Sequence, residues 1–212
     1  MQKNKIVVFD FDETILKKNS FTIWCRWLVK YYFFNFRVLL FLNLVYLILQ
    51  RKVFRRLEHE EFKLKLIKSV PKDINNEFSK YLLNREWNLN VCNKLLECKR
   101  NGYFVVISSA APLAYLLPTV KLKELNADLV LGAELSNDGI LISNFKEDKA
   151  LNVLKRLNVD RIDLFFTDSL DDMAMMKISG EIFIVLNKNN TESKFRYELK
   201  LNKIVNFKFI GG

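Results

Sequence analysis

The sequence predicts an α/β fold in which a doubly wound parallel sheet forms the core and an α-helical cap is inserted after the first strand. Short apolar runs of strand length alternate along the chain with longer stretches of helical pattern. This alternation is typical of parallel sheets whose two faces are covered by helices. The 212 residues leave room for one domain with a sizeable insertion.

The strands are predicted from continuous apolar runs, most of them bounded by Gly, Ser, Asn or Asp. They are residues 5–10, 103–107, 128–133, 140–142, 161–166, 181–186 and 204–210. Ser136-Asn137-Asp138-Gly139 predicts a hairpin-like turn between the third and fourth of these runs. The last run is predicted at an edge of the sheet.

The helices are predicted from length or from apolar spacing. They are residues 20–50, 51–85, 88–100, 112–126, 146–157 and a helix that begins near residue 171. Pro71 interrupts the second helix, and Asn101-Gly102 closes the third. From this order we assign residues 1–16 and 88–212 to the core and residues 17–87 to a helical cap.

The charge of the chain favours an anionic partner. The formal net charge is +10 and the sequence pI is about 9.4, which suits a phosphorylated small molecule or lipid, a nucleic acid or an acidic membrane surface. An AT-rich genome would produce the same richness in Lys and Asn. Nucleic-acid binding is not predicted, because the aromatic residues lie in apolar runs rather than among Lys and Arg.

Cysteine and histidine usage narrows the chemistry. Cys25, Cys92 and Cys98 are odd in number and form no Cys-x-x-Cys pair, which argues against disulfides or zinc and indicates a reducing compartment. His59 is the only histidine, so catalysis or metal binding by histidine is nearly excluded. A strand begins close to the first methionine with no signal peptide before it, so a cytoplasmic location is expected.

Two carboxylates, Asp10 and Asp12, follow the first strand one residue apart. In open α/β sheets, ligands bind beyond the carboxyl ends of the strands. Two anions this close repel each other unless a cation lies between them or one keeps a proton. The pattern therefore predicts a divalent metal site with a nucleophile and an acid/base, although Asp-x-Asp also occurs in acidic turns without a catalytic role.

Polar side chains also follow other elements of the predicted core. They are Ser108, Ser109, Lys149, Asp168 and Asp172. Together with Asp10 and Asp12 they predict phosphoryl transfer through a covalent aspartyl phosphate. Mg²⁺ would mask the charge of the nucleophile, while a hydroxyl, a lysine and backbone N–H groups would stabilise the phosphoryl oxygens. Taken singly, the lysine is typical of a solvated helix and the acidic pair of a helix N-terminus, so the prediction depends on the whole set.

This ordered set resembles the haloacid dehalogenase superfamily, in particular its phosphoserine-phosphatase-like branch. The first motif, Asp-x-Asp-x-Thr, is Asp10-Phe11-Asp12-Glu13-Thr14. Ser108 after an apolar strand matches the second motif, and Lys149 matches the third. Thr167-Asp168-Ser169-Leu170-Asp171-Asp172 matches the fourth. The resemblance implies a Rossmann-like core with a helical cap and a Mg²⁺-dependent phosphatase activity.

The resemblance also implies a role for each matching residue. Asp10 is the nucleophile and a metal ligand. Asp12 is the general acid/base and offers its backbone carbonyl to the metal, and Asp168 completes the protein ligands of the metal. Asp172 orients the lysine of the third motif or a metal-bound water, and Thr14 braces the loop after the nucleophile. The residues expected to hold the phosphoryl group are Ser108, Ser109 and Lys149.

Three positions depart from the pattern or leave it ambiguous. Thr167 stands where the fourth motif has glycine, which an extended strand end tolerates. Glu13 stands where many members have a small residue, so it would either touch the substrate or repel an anionic one. Lys146 is an alternative to Lys149, which falls better at the start of the helix.

The cap is unusually apolar. An aromatic cluster at residues 31–36 precedes Val38 to Leu49, a run that approaches transmembrane length, and basic residues follow at 51–56. A single span would separate the first two motifs across a bilayer. A helical hairpin that dips into one leaflet, or an amphipathic helix on the surface, avoids this separation. The alternative is that residues 20–50 are the buried core of the cap.

The pattern of the cap is similar to that of phosphatidylglycerophosphatases of the C type, which have an aromatic helix and then an apolar segment with a basic flank. This similarity implies a lipid phosphate such as phosphatidylglycerophosphate, hydrolysed at the inner face of the cytoplasmic membrane. A soluble phosphatase for phosphoserine or a small sugar or polyol phosphate is the alternative. A dehalogenase would not need Asp12 or Asp168, and a non-enzymatic membrane-binding module would not need intact motifs.

Overall fold

The computed structural model describes residues 5–188 and 190–211. Within these residues the strands are β1 Ile6–Phe9, β2 Phe104–Pro112, β3 Leu129–Leu135, β4 Leu141–Ile142, β5 Ile162–Thr167, β6 Ser179–Leu186 and β7 Phe207–Gly211. They form one sheet in the order β4-β3-β2-β1-β5-β6-β7. Every neighbouring pair is parallel except β3 and β4, which form the predicted antiparallel hairpin.

The helices of the described residues confirm the predicted α/β class. They are α1 Ser20–Phe34, α2 Val38–Lys52, α3 His59–Ser69, α4 Lys72–Leu83, α5 Leu89–Arg100, α6 Leu113–Leu122, α7 Glu147–Leu157, α8 Met173–Lys177 and α9 Glu192–Leu201. Helix α9 was not predicted. Its buried side chains are Phe195 and Leu199 alone, so the apolar signal in its sequence is short.

Strand β1 lies at the centre of the sheet, where all four of its side chains are buried. Val7 pairs with Val105 of β2 on one side and with Leu164 of β5 on the other. The chain runs outward from β1 toward β4 and, in the opposite direction, from β5 toward β7. The reversal lies between β1 and β5, and such a reversal opens the crevice in which doubly wound sheets bind ligands.

Helices α1 to α4 lie between β1 and α5 in the chain and rest on the sheet-and-helix core through Tyr115 of α6. The Tyr115 ring lies 5.2 Å from Trp24 and 5.0 Å from Phe78, measured between ring centroids. Its hydroxyl is 3.0 Å from the Ser20 hydroxyl, and its carbonyl accepts a hydrogen bond from Ser79. Buried contacts therefore fix α1 and α4 against the core, and α2 packs against α1 and α3.

Residues 20–50 form two helices rather than one. Asn35 caps the end of helix α1 by donating its backbone N–H to the Tyr31 carbonyl, and Phe36 turns the chain with a φ of 53°. Each helix has 15 residues, about 22 Å of rise, whereas the apolar part of a bilayer is about 30 Å thick. Among the described residues, no helix has the length and apolar character needed to cross a membrane.

Helix α2 is apolar on both of its faces. Leu44 and Leu47 point inward and are buried against the rest of the cap. Large apolar side chains also lie exposed along its outer face, at the end of α1 and in the adjoining turns. They are Phe33, Phe34, Phe36, Val38, Leu39, Leu42, Tyr46, Leu49, Val53 and Phe54, which we call the apolar hairpin surface. Residues 20–50 thus supply both cap core and an exposed apolar surface.

Candidate active site

Asp10 lies directly after β1, at the reversal of the sheet. Its backbone N–H donates to the Phe166 carbonyl at 2.9 Å, which ties the end of β1 to β5. Its carboxylate is buried and accepts a hydrogen bond from Lys149 Nζ at 2.8 Å. Burial raises the pKa of Asp10 well above its usual value; Lys149 opposes this, while the charges of Asp172 and Asp168 add to it.

Lys149 occupies the first turn of α7, as predicted, and is buried. Its ammonium lies 2.8 Å and 2.9 Å from the two oxygens of Asp172, in addition to Asp10. Burial alone would lower the pKa of Lys149, but Asp10 and Asp172 raise it above its usual value, so the ammonium stays charged. Thr167, at the glycine position of the fourth motif, donates its hydroxyl proton to Asp172 Oδ2 at 2.6 Å.

Asp168 follows β5, with its side chain largely buried. Thr14 donates to one of its oxygens at 3.0 Å and Asn187 to the other at 2.9 Å. Burial raises the pKa of Asp168 to about 7, against the effect of these hydrogen bonds. Asn190 holds the backbone by donating to the Asp168 carbonyl at 2.8 Å.

Asp12 faces the start of α1. Its Oδ1 accepts a hydrogen bond from the Ser20 backbone N–H at 2.8 Å, where the partial positive charge of a helix N-terminus favours an anion. Burial nevertheless raises the pKa of Asp12 to about 6, and the hydrogen bonds from Ser20 limit the increase. Asp12 therefore holds a proton at a higher pH than an ordinary aspartate does.

Ser108 and Ser109 are both buried near the end of β2. Asn144 donates from its Nδ2 to Ser108 Oγ at 3.0 Å and to the Ser109 carbonyl at 2.9 Å. Asn152 donates in turn to Asn144 Oδ1 at 3.0 Å, which fixes the orientation of that amide. Ser109 Oγ accepts a hydrogen bond from the Ala111 N–H at 3.1 Å, within the irregular last part of β2.

The structure places the predicted residues in neighbouring hydrogen-bonded clusters and favours one of the two candidate lysines. The clusters centre on Asp10 with Lys149, on Asp168 and on Ser108. Lys146 is half-exposed and lies 3.7 Å from the exposed Asp171, so Lys149 is the lysine at the site. Sequence reasoning missed Asn144, Asn187 and Asn190. The position of Asn187 directly after β6, at the same edge of the sheet, was the one signal that pointed to any of them.

The donor set suits Mg²⁺, although the residues that the structure describes contain no cluster of three or more His, Cys, Asp or Glu side chains able to hold a metal. Mg²⁺ is usually held by one or two carboxylates, with water and substrate phosphate completing six ligands. The pKa values of Asp10 and Asp168 are raised because burial disfavours their negative charges, and a bound cation would stabilise those charges. These two side chains and the Asp12 carbonyl would hold the ion.

A cavity of about 410 Å³ opens beside Asp12 between the cap and the core. Its volume lies within the range of small-molecule binding sites. Ala110, Ala111 and Phe145 line it from the core. Apolar side chains from α1 to α3 line it from the cap, among them Phe21 and Phe62. Arginine and lysine side chains from the cap complete the wall.

The sequence model of the haloacid dehalogenase-like hydrolases matches residues 7–177, which include every predicted site residue. The chain belongs to this family, as the resemblance implied, and it is accordingly an enzyme of the hydrolase class. No curated protein matches the sequence.

Solved structures agree on the fold. A protein of unknown function from Bordetella pertussis Tohama I is 15% identical, with a TM-score of 0.74 over 99% of both chains. A phosphoserine phosphatase, solved as a phospho-aspartyl intermediate analogue, is 15% identical, with a TM-score of 0.57 over 99% of this chain and 94% of its own. A phosphoserine phosphohydrolase-like protein from Francisella tularensis is 15% identical, with a TM-score of 0.57 over 96% of this chain and 94% of its own.

Proposed function

We propose that this protein is a Mg²⁺-dependent phosphomonoester hydrolase that forms an aspartyl phosphate on Asp10, and that its substrate is a lipid phosphate such as phosphatidylglycerophosphate. The observation that carries the proposal is the buried ion pair of Asp10 and Lys149 at the carboxyl end of β1. A carboxylate must be held in place, with part of its charge offset, before it can attack a phosphate dianion. In this proposal residues 17–87 form the cap and residues 1–16 and 88–212 form the catalytic core.

The first half of the reaction transfers the phosphoryl group to Asp10. The Asp10 carboxylate attacks phosphorus while the bond from phosphorus to the leaving oxygen breaks. Asp12 gives its proton to that oxygen, a role that its pKa of about 6 suits. The second half reverses the role of Asp12, which takes a proton from water as the water attacks the aspartyl phosphate. The bond from phosphorus to Asp10 then breaks, and phosphate leaves.

Lys149 and Ser108 stabilise the charge on the phosphoryl oxygens. Because Asn144 donates to Ser108 Oγ, the serine hydroxyl keeps its own proton for a phosphoryl oxygen. Asp172 holds the ammonium through two hydrogen bonds, which keeps it aimed at the site. Bound Mg²⁺ would neutralise charge on the nucleophile and the phosphoryl group.

The apolar hairpin surface supports a lipid substrate. Phe36 is 87% exposed and Leu39 is 84% exposed, so these side chains are almost fully accessible rather than exposed at a few atoms. Exposed contiguous apolar surface of this kind marks sites of protein or membrane contact. Helices α1 and α2 present this apolar surface on one side, as amphipathic helices do when they lie in the headgroup region of a bilayer.

Basic residues beside the apolar hairpin surface favour an anionic bilayer. Lys52 ends α2, Arg55 and Arg56 follow it, and all three are exposed, while Arg37 lies in the turn before α2. Each basic residue near an anionic surface contributes about 1 kcal/mol of attraction. The proposal therefore includes peripheral binding at the inner face of the cytoplasmic membrane, in line with unpaired cysteines that indicate a reducing compartment.

Phosphate release with Mg²⁺ tests the proposal directly. Phosphatidylglycerophosphate in mixed micelles is compared with phosphoserine and a panel of sugar phosphates, with Asp10→Asn as the inactive control. Hydrolysis that prefers the lipid and disappears in Asp10→Asn is the expected result. Absence of release from every substrate would reject the phosphatase function.

A soluble phosphomonoester is the second candidate substrate. The likeness of the fold to phosphoserine phosphatases favours it, and the cavity beside Asp12 is large enough for a small ester. In this case detergent-free activity on phosphoserine or a sugar phosphate would exceed activity on the lipid. The apolar hairpin surface would then have a role other than lipid capture.

A further inference from the structure

The cavity beside Asp12 carries more positive charge than the transfer of one phosphoryl group requires. Its cationic lining residues come from the cap and are Arg26, Arg51, Lys52 and Lys63. Of the described residues that line the cavity, Asp12 is the one carboxylate. Lys149, which serves the phosphoryl group in the proposed mechanism, does not line it.

Lys63 and Arg51 carry their charges into an apolar wall. Lys63 is 2% exposed, and its ammonium lies 3.3 Å from Glu60 Oε1. An ammonium has three N–H donors, and within the described residues Glu60 is the one acceptor that Lys63 reaches. Arg51 is half-buried, lies 5.1 Å from the centre of the Phe62 ring, and forms no ion pair with a described carboxylate.

His59 fixes the orientation of Arg51 without adding charge. The Arg51 guanidinium lies 2.5 Å from His59 Nδ1, and because arginine has no acceptor, the imidazole nitrogen must accept. Burial, Lys63 and Arg51 all lower the pKa of His59, so the ring is neutral at physiological pH. Arg51 and Lys63 are therefore two oriented cations in one apolar cavity. Glu60 neutralises the charge of Lys63 in part, and no described carboxylate neutralises that of Arg51.

The position of Asp12 indicates that the leaving group of the substrate lies in the cavity. In the proposed reaction, Asp12 protonates the leaving oxygen, so the departing part of the substrate lies on the Asp12 side of the phosphorus atom. That side is the cavity, which Asp12 lines. Buried or half-buried cations in an apolar wall are stabilised when an anion binds them, and they discriminate strongly against an uncharged group in its place.

We infer that Arg51 and Lys63 bind a second anionic group, a carboxylate or a phosphodiester, carried by the leaving group of the substrate. This inference rests on the proposed phosphatase function and narrows it to phosphomonoesters whose leaving group bears another negative charge. A plain alkyl phosphate or a neutral sugar phosphate lacks the group that the two cations would hold.

Non-hydrolysable ligands test the inference separately from catalysis. A series of ω-phosphonocarboxylic acids of increasing chain length is titrated calorimetrically with Mg²⁺ present, each acid beside its primary amide. At the best chain length we expect the acid to bind about tenfold more tightly than the amide, the effect of one charge-assisted hydrogen bond. The ratio should fall to about twofold or less in Lys63→Gln and in Arg51→Gln.

Lys65→Gln is the matched control, since Lys65 is on the same helix and half-exposed. Its acid-to-amide ratio should equal that of the unmodified protein. Thermal unfolding shows whether each variant is folded. If Lys63→Gln does not fold, the acid-to-amide ratio of Arg51→Gln, at a half-buried position, tests the inference. Equal affinity for acid and amide at every length would overturn the inference, as would a ratio that survives both substitutions.

Lipid substrates identify the source of the second charge. Phosphatidylglycerophosphate carries an internal phosphodiester that phosphatidic acid lacks. A preference for the former in kcat/KM that declines in Lys63→Gln assigns the site to a phosphodiester. Discrimination confined to the soluble acids assigns it to a carboxylate. Failure of phosphate release with an intact ratio for the phosphonates would reject the phosphatase proposal and leave the anion site standing.

Discussion

Replacing Asp168 by Asn should stabilise the metal-free protein while removing activity. The pKa of Asp168 rises from 3.8 to about 7 because the carboxyl is buried. Three pKa units correspond to about 4 kcal/mol, which is the upper limit of the cost of ionising this group in the folded state. Weaker hydrogen bonds to Thr14 and Asn187 offset about 1 kcal/mol of the gain. We expect a net stabilisation of about 1–3 kcal/mol at neutral to mildly alkaline pH.

The sign follows from the direction of the shift. A carboxyl whose pKa is higher in the folded than in the unfolded protein contributes stability below its unfolded pKa, and this contribution is lost as the pH rises through the folded value. For Asp168 the loss extends from about pH 4 to about pH 7. Asp168→Asn removes the titration, so its advantage should vanish in acid and grow as the pH rises.

Urea unfolding in EDTA at about pH 5 and about pH 8 measures the difference, because the midpoint reports stability when the slope is unchanged. Asp171→Asn is the control, since that side chain is 54% exposed and 3.7 Å from Lys146, in a contact worth little. Saturating Mg²⁺ should reverse the order by stabilising the unmodified protein alone. An Asp168→Asn variant no more stable than the unmodified protein at about pH 8 would refute the reasoning.

Three further predictions concern the network and the surface. Asn144→Ala should lower kcat about tenfold on a soluble ester, because Ser108 loses the donor that orients it; stopped assays measure this. Lys149→Met should abolish phosphate release and destabilise the protein by about 3 kcal/mol in urea, since Asp10 and Asp172 lose their buried partner. Leu39→Ser should weaken sedimentation with anionic vesicles severalfold, whereas Leu151→Ser, 61% exposed on α7, should not.

The strands and most of the site could be predicted because strand ends carry a local signal. Asp10, Asp168 and Ser108 each follow an apolar run, and a parallel sheet brings such ends to one edge. Lys149 joins them from the first turn of α7, where it follows the predicted helix start by a few residues. The convergence of these groups at one edge of the sheet follows from the topology.

The remaining features depend on contacts that a sequence does not display. Asn144 lies in a loop with no periodic pattern, and it matters because that loop folds back on Ser108. The break in residues 20–50 at Asn35–Arg37 has no Pro or Gly to announce it, so the apolar run reads as continuous. Arg51 and Lys63 come from different helices, and only the packing of α2 against α3 places both beside one cavity.

The hydrogen bond from Ser20 N–H to Asp12 makes substrate choice and proton transfer share one helix. Helix α1 begins at Ser20 and, between one and two turns later, supplies Cys25 and Arg26 to the cavity wall. A substitution that shifts α1 to admit a new leaving group also shifts the donor that limits the rise in the pKa of Asp12. A substitution in this wall that changes substrate specificity therefore also changes the rate of proton transfer by Asp12. Selection for a new substrate must alter both properties together.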